Sequence, residues 1–512
     1  MTVKDNLQKE SRTMRVIYFI ERIGNKLPHP WLMFVFITVI LLIAAHLLDG
    51  TTFKVPGQED AVIKTLLNAD GFRYMITNFV PNFTRFPPIG LVIPIVIAVG
   101  IGEKGGFFTA SISKLVKSVP DKFVTAVFMM VAINGNVMSD ASVVIMPAVG
   151  AALFQGMGRN PLVGVFAGYA GYLGGLSASF FIAGTDATAA GITAQAAQML
   201  DITADSPIHP AINWYFMIVS TLVLTVVGTF ITEKILAPML EGVEVTLPEG
   251  TKQDSLELSD DQNKGLKYAG IAFLIFVAIV LLLTVPSGSL LRNPETGAIL
   301  PNSPLISGIV PLVVFLFMVV GIAYGIGAKT IKSSFDIGKY MSDGVSSIAS
   351  FLVLALFAAQ FVEYFKVTNL SQFIAVKGAD TLNSMNFTGI PLIIGVVVFS
   401  SIINFFIISA SAKWTMLAPV LVPMMALLGF SPAFAQCIYR IGDAITNPIT
   451  PLGTYLPVLL GFLQKYKKDA GVGTAIAYEI PFAIGFFIMW TLLVIVFYLF
   501  DLPLGPGASI HL

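Results

Sequence analysis

Apolar runs recur along the whole of this 512-residue chain, and that recurrence leaves few folds open. They lie near 31–48, 88–101, 123–133, 143–155, 161–183, 211–232, 269–285, 305–327, 347–365, 389–409, 415–428, 452–463 and 476–499. A helix that crosses the hydrocarbon core of a bilayer needs about 20 residues. The longer runs meet that length. Those at 123–133, 143–155, 415–428 and 452–463 fall short and read as half-helices or re-entrant hairpin arms. Charged residues make up 12% of the chain, against about 25% in an ordinary soluble domain. Hydrophobic residues make up 55%, and the mean hydropathy is +0.82. A water-soluble chain of this length could not bury so much apolar surface. The predicted class is an all-α polytopic membrane protein.

Several function classes drop out. Thirty Lys and Arg balance thirty Asp and Glu, so no basic footprint for nucleic acid exists. The single cysteine, Cys437, excludes an intramolecular disulfide and a cysteine metal cluster. His29, His46, His209 and His511 are far apart, and there is no HExxH. Gly100-Ile-Gly102-Glu-Lys-Gly105 spells GxGxxG, but it closes an apolar helix-length run with no βαβ context. Walker A and GxSxG sequences are lacking. Neither an enzyme activity nor an organic cofactor is expected.

Basic residues orient the chain. Lys4, Lys9, Arg12, Arg15, Arg22 and Lys26 mark the N-terminus as cytoplasmic, as do Lys329, Lys332, Lys339, Lys465, Lys467 and Lys468 for their loops. Stretches 184–210 and 500–512 carry no Lys or Arg and read as outside. An inside N-terminus and an outside C-terminus require an odd number of crossings. No small-residue cleavage site follows the first apolar run, so it reads as a retained helix.

The acidic stretch 241–267 divides the chain into halves, 1–240 and 268–512, and reads as a polar linker. The halves echo each other. Asn136, Ser139-Asp-Ala, Pro147 and Gly158-Arg-Asn-Pro161 find counterparts in Asn404, Ser411-Ala-Lys, Pro419 and Gly429-Phe-Ser-Pro432. Broken segments at corresponding places of two halves point to a transporter site near the bilayer midplane.

Polar residues inside the apolar runs must face protein, water or an ion. Asn134 to Ser142, which includes Asp140, is either a packed helix break or part of an ion or substrate pathway. The small residues from Gly168 to Ser179 favour close helix packing. Asp186 is either a helix-terminal cap at the outer face or a substrate or coupling carboxylate in a hairpin tip. Arg440 and Asp443 are three apart and could neutralise each other on one helix face. Alternatively their roles are split. The planar fork of Arg440 suits a substrate carboxylate. Asp443, Asn404 and carbonyls near Pro448 and Pro451 offer the oxygen ligands that a hard cation such as Na⁺ prefers. Trp414 offers a flat face to an aromatic ring, with an indole N–H to spare, or else packs in the core.

The segments Ser409-Ala-Ser-Ala-Lys-Trp414, Tyr439-Arg-Ile-Gly-Asp443-Ala-Ile-Thr-Asn447-Pro-Ile-Thr-Pro451 and Leu502-Pro-Leu-Gly-Pro-Gly-Ala508 closely resemble the AbgT family of p-aminobenzoyl-glutamate transporters. Ser139-Asp140-Ala, Gly158-Arg-Asn-Pro161-Leu and Gly191-Ile-Thr-Ala-Gln-Ala-Ala197 fit the same family. The resemblance covers the whole chain. It implies a bacterial inner-membrane protein with about nine transmembrane helices and two re-entrant hairpins, arranged as inverted repeats in a bowl-shaped homodimer. It carries substrate-path roles onto Asp186, Ser411, Trp414, Pro432, Arg440, Asp443 and Pro451, and a sodium site onto Asn404 and Asp443. The implied substrate is p-aminobenzoyl-glutamate, a glutamate joined to an aminobenzoyl ring. Arg440 would hold a carboxylate, Trp414 would pack on the ring, and Asp186 would gate or contact the amine end. A cation, Na⁺ or H⁺, would neutralise Asp443 and leave Arg440 free for the anion. The rival within the family is proton-driven efflux of sulfonamide-like antimetabolites, with Asp186 or Asp443 titrating. A channel would need a continuous polar lining, whereas the polar residues here concentrate at interrupted helices.

Overall fold

Helix ends in this chain are written by proline, glycine and short polar side chains. The computed structural model describes residues 28–512 except 57–58, 118–119, 205, 246–257, 301–302, 408, 452 and 454. The basic N-terminal segment, residues 246–257 of the acidic stretch and the side chains of Ser139 and Asp140 lie outside the described residues. The principal helices of the first half are α1 (Pro30–Leu47), α2 (Ala69–Thr84), α3 (Pro87–Gly105), α4 (Phe107–Lys117), α5 (Asp121–Ile133), α6 (Ser142–Gly156), α7 (Pro161–Gly174), α8 (Gly184–Ala197) and α9 (Trp214–Ile231). The second half adds α10 (Asp260–Leu282), α11 (Ile309–Gly327), α12 (Ser334–Ser347), α13 (Ala349–Val367), α14 (Leu370–Ser384), α15 (Ile390–Asn404), α16 (Ala410–Leu427), α17 (Pro432–Ile445), α18 (Leu456–Tyr466) and α19 (Val472–Leu499). Among the described residues the strands are Thr52–Phe53 and Ala61–Val62, an antiparallel pair.

Eight helical segments among the described residues are long and apolar enough to span a membrane, with α2 and α3 taken together and α9 extended to Met239. α5, α6 and α15 are apolar but shorter. The run at 415–428, expected to be a half-helix, belongs to the 18-residue α16. That helix starts at Ala410 because Ser409 caps it, accepting from the Ala412 N–H, and Ser411, Lys413 and Thr415 are absorbed into its first turns. Pro419 and Pro423 lie inside it.

The two halves repeat one device. In the first, α5 breaks into a 3₁₀ stretch at Asn134–Ala141, α6 and α7 form a hairpin, and a second break at 175–183 precedes α8. In the second, α15 ends at Asn404, α16 and α17 form the hairpin, and a break at 446–455 precedes α18. The hairpin tips are built alike. Gly158 (φ +70°) and Gly429 (φ +86°) take the left-handed conformation that ends a helix. Asn160 and Ser431 cap the following helix, and Pro161 and Pro432 open it at a position that needs no N–H.

The tips are latched differently. Arg159 makes a two-pronged ion pair with Glu233 at 2.8 and 2.9 Å, and the Asn160 amide donates to the Leu240 carbonyl. Ser431 instead donates from its backbone N–H to the Ile510 carbonyl and from its hydroxyl to the Ser509 carbonyl, at 2.8 and 2.6 Å. The C-terminal tail thus holds the second tip.

α7 is buried along its whole length. It meets α6 at Gly150 and Gly164, where an added Cβ on either residue would fall about 2 Å from the other's carbonyl oxygen. Close backbone approach through small residues is how helices pack without large side chains between them. α3 lays Val92, Ile95, Val96 and Val99 against Ala187 of α8. On α10, Ile271, Leu274, Ile275 and Leu282 stay exposed, as lipid-facing residues do.

Candidate functional site

Polar residues of the second break and of α8 converge where α8, α15, α16 and α17 meet. Every residue of α17 is buried, including Arg440 and Asp443. A buried charge needs a partner, and each of these finds a different one. Arg440 donates from Nη2 to Asp186 Oδ1 at 2.6 Å, across 254 residues of sequence. Asp443 pairs through Oδ1 with the ammonium of Lys413 on α16. The expectation that Arg440 and Asp443 might neutralise each other is corrected here. They share α17, but each side chain meets an opposite charge from another helix.

Asp186 is a helix cap, the first of its two readings, and it is also ion-paired. Its Oδ2 accepts from the Ala183 N–H at 2.7 Å, capping α8, while Oδ1 takes Arg440. Arg440 therefore already carries a carboxylate. Seven residues, about two turns, further along α8 is Thr193. Its hydroxyl accepts from the Trp414 indole N–H at 2.9 Å and donates to Gln436 Oε1 at 2.6 Å. The Trp414 N–H is thus in use rather than spare. Its ring is 1% exposed and stacks on Tyr439, with centroids 4.3 Å apart and planes at 20°. One face of α8 covers both the arginine and the tryptophan.

Asn404, the last residue of α15, ties the second break together. Its amide nitrogen lies 2.9, 2.9 and 2.8 Å from the Asp443 carbonyl, the Thr446 hydroxyl and Asn447 Oδ1, three acceptors that share its two hydrogens. With the nitrogen committed, Oδ1 faces the other way and accepts from the Lys413 ammonium. The two side chains assigned to a sodium site, Asn404 and Asp443, do converge, and the positive charge between them is that of Lys413. Oxygen ligands gathered on one ammonium fit a monovalent cation.

The other residues given a substrate-path role by the family resemblance lie further from this junction. Ser411 lies in the first turn of α16, its hydroxyl 3.3 Å from that of Ser409. Pro432 opens α17 at the hairpin tip, about 12 Å along the helix from Arg440. Pro451 is buried within the second break. Two further buried charges, Lys413 and Glu479, carry no expectation from the sequence. Lys413 sat in plain view inside the SAKW segment, and the signal was the residue type itself, since an intramembrane lysine demands an anion. Glu479 sits in the apolar run of α19, 0% exposed, and neither carboxyl oxygen has a hydrogen-bond partner among the described residues.

This arrangement can be set beside known proteins. The AbgT putative transporter family matches residues 15–512. The chain belongs to the AbgT family. It is 37% identical over 508 residues to the p-aminobenzoyl-glutamate transport protein of Escherichia coli (strain K12), covering 98% of each. Its fold is similar to the AbgT-family YdaH transporter of Alcanivorax borkumensis, with a TM-score of 0.88, 34% identity and coverage of 94% of this chain and 100% of that one. It is equally similar to MtrF of Neisseria gonorrhoeae, a structure described as illuminating a class of antimetabolite efflux pumps, with a TM-score of 0.87, 37% identity and coverage of 96% and 100%. The protein is a multi-pass AbgT family transporter.

Proposed function

We propose that the protein is a cation-coupled secondary transporter of p-aminobenzoyl-glutamate in the bacterial inner membrane. The N-terminus would be cytoplasmic, the C-terminus periplasmic, and the working unit a homodimer. One observation carries the reading: a single face of α8 bonds both Arg440 and Trp414, through Asp186 and Thr193. Those are the groups suited to a carboxylate and to an aromatic ring. Withdrawing α8 from the second hairpin would release them together. A substrate carboxylate would then replace Asp186 on Arg440, and the aminobenzoyl ring would pack against the Trp414–Tyr439 stack. Asp186 in this state stands in for the substrate. Asn404 and Asp443 would hold the coupling cation, which would neutralise Asp443. Motion of broken helices and hairpins around a fixed site is the general route to alternating access.

The name of the Escherichia coli relative supports this substrate. A second reading, efflux of sulfonamide-like antimetabolites driven by protons, is favoured by the likeness to MtrF. Purified protein in liposomes separates them. Radiolabelled p-aminobenzoyl-glutamate is followed under an imposed sodium gradient and then under an imposed proton gradient. Accumulation driven by sodium supports the importer with its cation at Asn404 and Asp443. Movement driven by protons alone, together with lowered sulfonamide accumulation in cells, supports the exporter. No movement under either gradient removes this substrate.

A further inference from the structure

We infer that Lys413 is a tethered counter-cation: its ammonium occupies the coupling-cation site, and sodium loads there only by displacing it. This rests on the transport reading above for its purpose, but not for its geometry. The ammonium is fully buried. It is held by Asp443 from α17 and Asn404 Oδ1 from α15, while Lys413 itself rides on α16. Asn404 is held against turning its amide over, because a flip would aim its oxygen at three acceptors and its N–H groups at the ammonium. The oxygen is thereby fixed toward the Lys413 ammonium. Three helices therefore build a cation site and supply its occupant.

Charge conservation gives the occupant a task. Asp186, Arg440, Asp443 and Lys413 sum to zero as paired. Sodium at Asp443 would leave the Lys413 ammonium buried with no counter-charge, which is strongly unfavourable. An anion in the site relieves that, and p-aminobenzoyl-glutamate brings two carboxylates. Sodium alone therefore loads poorly, and sodium with substrate loads well. By linkage, each raises the affinity of the other by the same factor. Lys413 would suppress a sodium leak in the absence of substrate.

Thermal unfolding of the purified full-length protein tests this without transport. Wild type, Lys413→Met and the double variant Lys413→Met/Asp443→Asn are melted in NaCl and in choline chloride of equal concentration. Wild type should respond little to the salt. Lys413→Met should melt low in choline chloride and recover in NaCl, because sodium fills the vacated place beside Asp443. The double variant should be indifferent. Lys413→Gln, which can still hydrogen-bond Asn404, is a second variant read in the same way. Equal loss of stability in both salts would reduce Lys413 to a structural partner and overturn the inference. In a second arm, p-aminobenzoyl-glutamate should tighten the sodium midpoint of wild type by about tenfold, and that of Lys413→Met hardly at all. Were the substrate assignment wrong, this arm would be silent in wild type while the salt-dependent rescue of Lys413→Met persisted.

Discussion

The two broken crossings share a backbone plan and differ in what fills the break. In the first half, Asn134 Oδ1 accepts from the Phe180 N–H at 2.8 Å, and Asn136 exchanges bonds with Thr185 at 2.9 and 3.2 Å. Every one of these contacts is neutral. In the second half the corresponding place holds Asn404, Lys413 and Asp443, an ion pair bracketed by an amide. The hairpins differ too. The first closes on itself through Gly150 and Gly164. In the second, Gly442 of α17 meets the Val397 carbonyl of α15, which sets one arm against a neighbouring helix. Among the described residues, the first break is tied by neutral bonds and the second by a buried ion pair. Arg440 and Asp186 then join the copies.

If the contrast is real, charge removal in the second copy should have the largest effect. Asp443→Ala leaves the Lys413 ammonium buried and unpaired, and it should lower stability by about 3–5 kcal/mol. Joint replacement by Lys413→Met and Asp443→Leu should recover most of that, since no charge is stranded. Chemical denaturation of the purified protein measures both. Equal damage from the single and the joint variants would show that packing, not charge, holds this joint. Arg440→Ala should weaken substrate binding by about 10- to 100-fold, the worth of a charge-assisted hydrogen bond. Wild-type affinity in that variant would remove Arg440 from the substrate path.

The first copy should respond as a purely structural element. Gly150→Ala would place a Cβ 2.1 Å from the Gly164 carbonyl oxygen, and it should destabilise by about 1–3 kcal/mol. Asn134→Ala strips the acceptor from the Phe180 N–H and should lose a similar amount. In both variants the sodium dependence of uptake should match wild type. A changed sodium dependence in Asn134→Ala would make the first break part of the ion path and erase the contrast.

Sequence revealed the plan better than the pairing. Short apolar runs exposed the breaks, and the Gly158/Pro161 and Gly429/Pro432 echo exposed the hairpins, because backbone conformation is written locally. Asp186, Trp414, Arg440, Asp443 and Asn404 stood out because polar groups in apolar runs are rare. Their partners did not. Arg440 and Asp443 are one turn apart, yet their counter-charges come from residue 186 and residue 413, a matter of how α8 and α16 dock. Trp414 looked available because nothing near it in sequence announces Thr193. Lys413 was passed over because the motif around it drew attention to its neighbours.

The smallest expected difference lies at the hairpin tips. The first tip is latched by an ion pair, the second by the C-terminal tail, which His209 helps to pin. The Pro506 carbonyl can only accept, so His209 Nε2 carries the hydrogen across their 2.9 Å contact. The Ala211 N–H needs a lone pair, so Nδ1 must be bare. The site therefore suits the neutral ring. Burial pushes the His209 pKa below its ordinary value, more than the bond to Pro506 raises it. A base whose folded pKa is depressed binds fewer protons in the folded state than in the unfolded one. Its contribution is intact above the ordinary histidine pKa of about 6.5 and is lost as pH falls below it. The thermal midpoint of wild type should therefore drop more between about pH 7.5 and about pH 5.5 than that of His209→Gln, which cannot titrate. The first tip depends on Arg159 and Glu233, and Arg159→Gln should leave this pH slope unchanged. Parallel slopes in wild type and His209→Gln would take the tail latch out of the titration altogether.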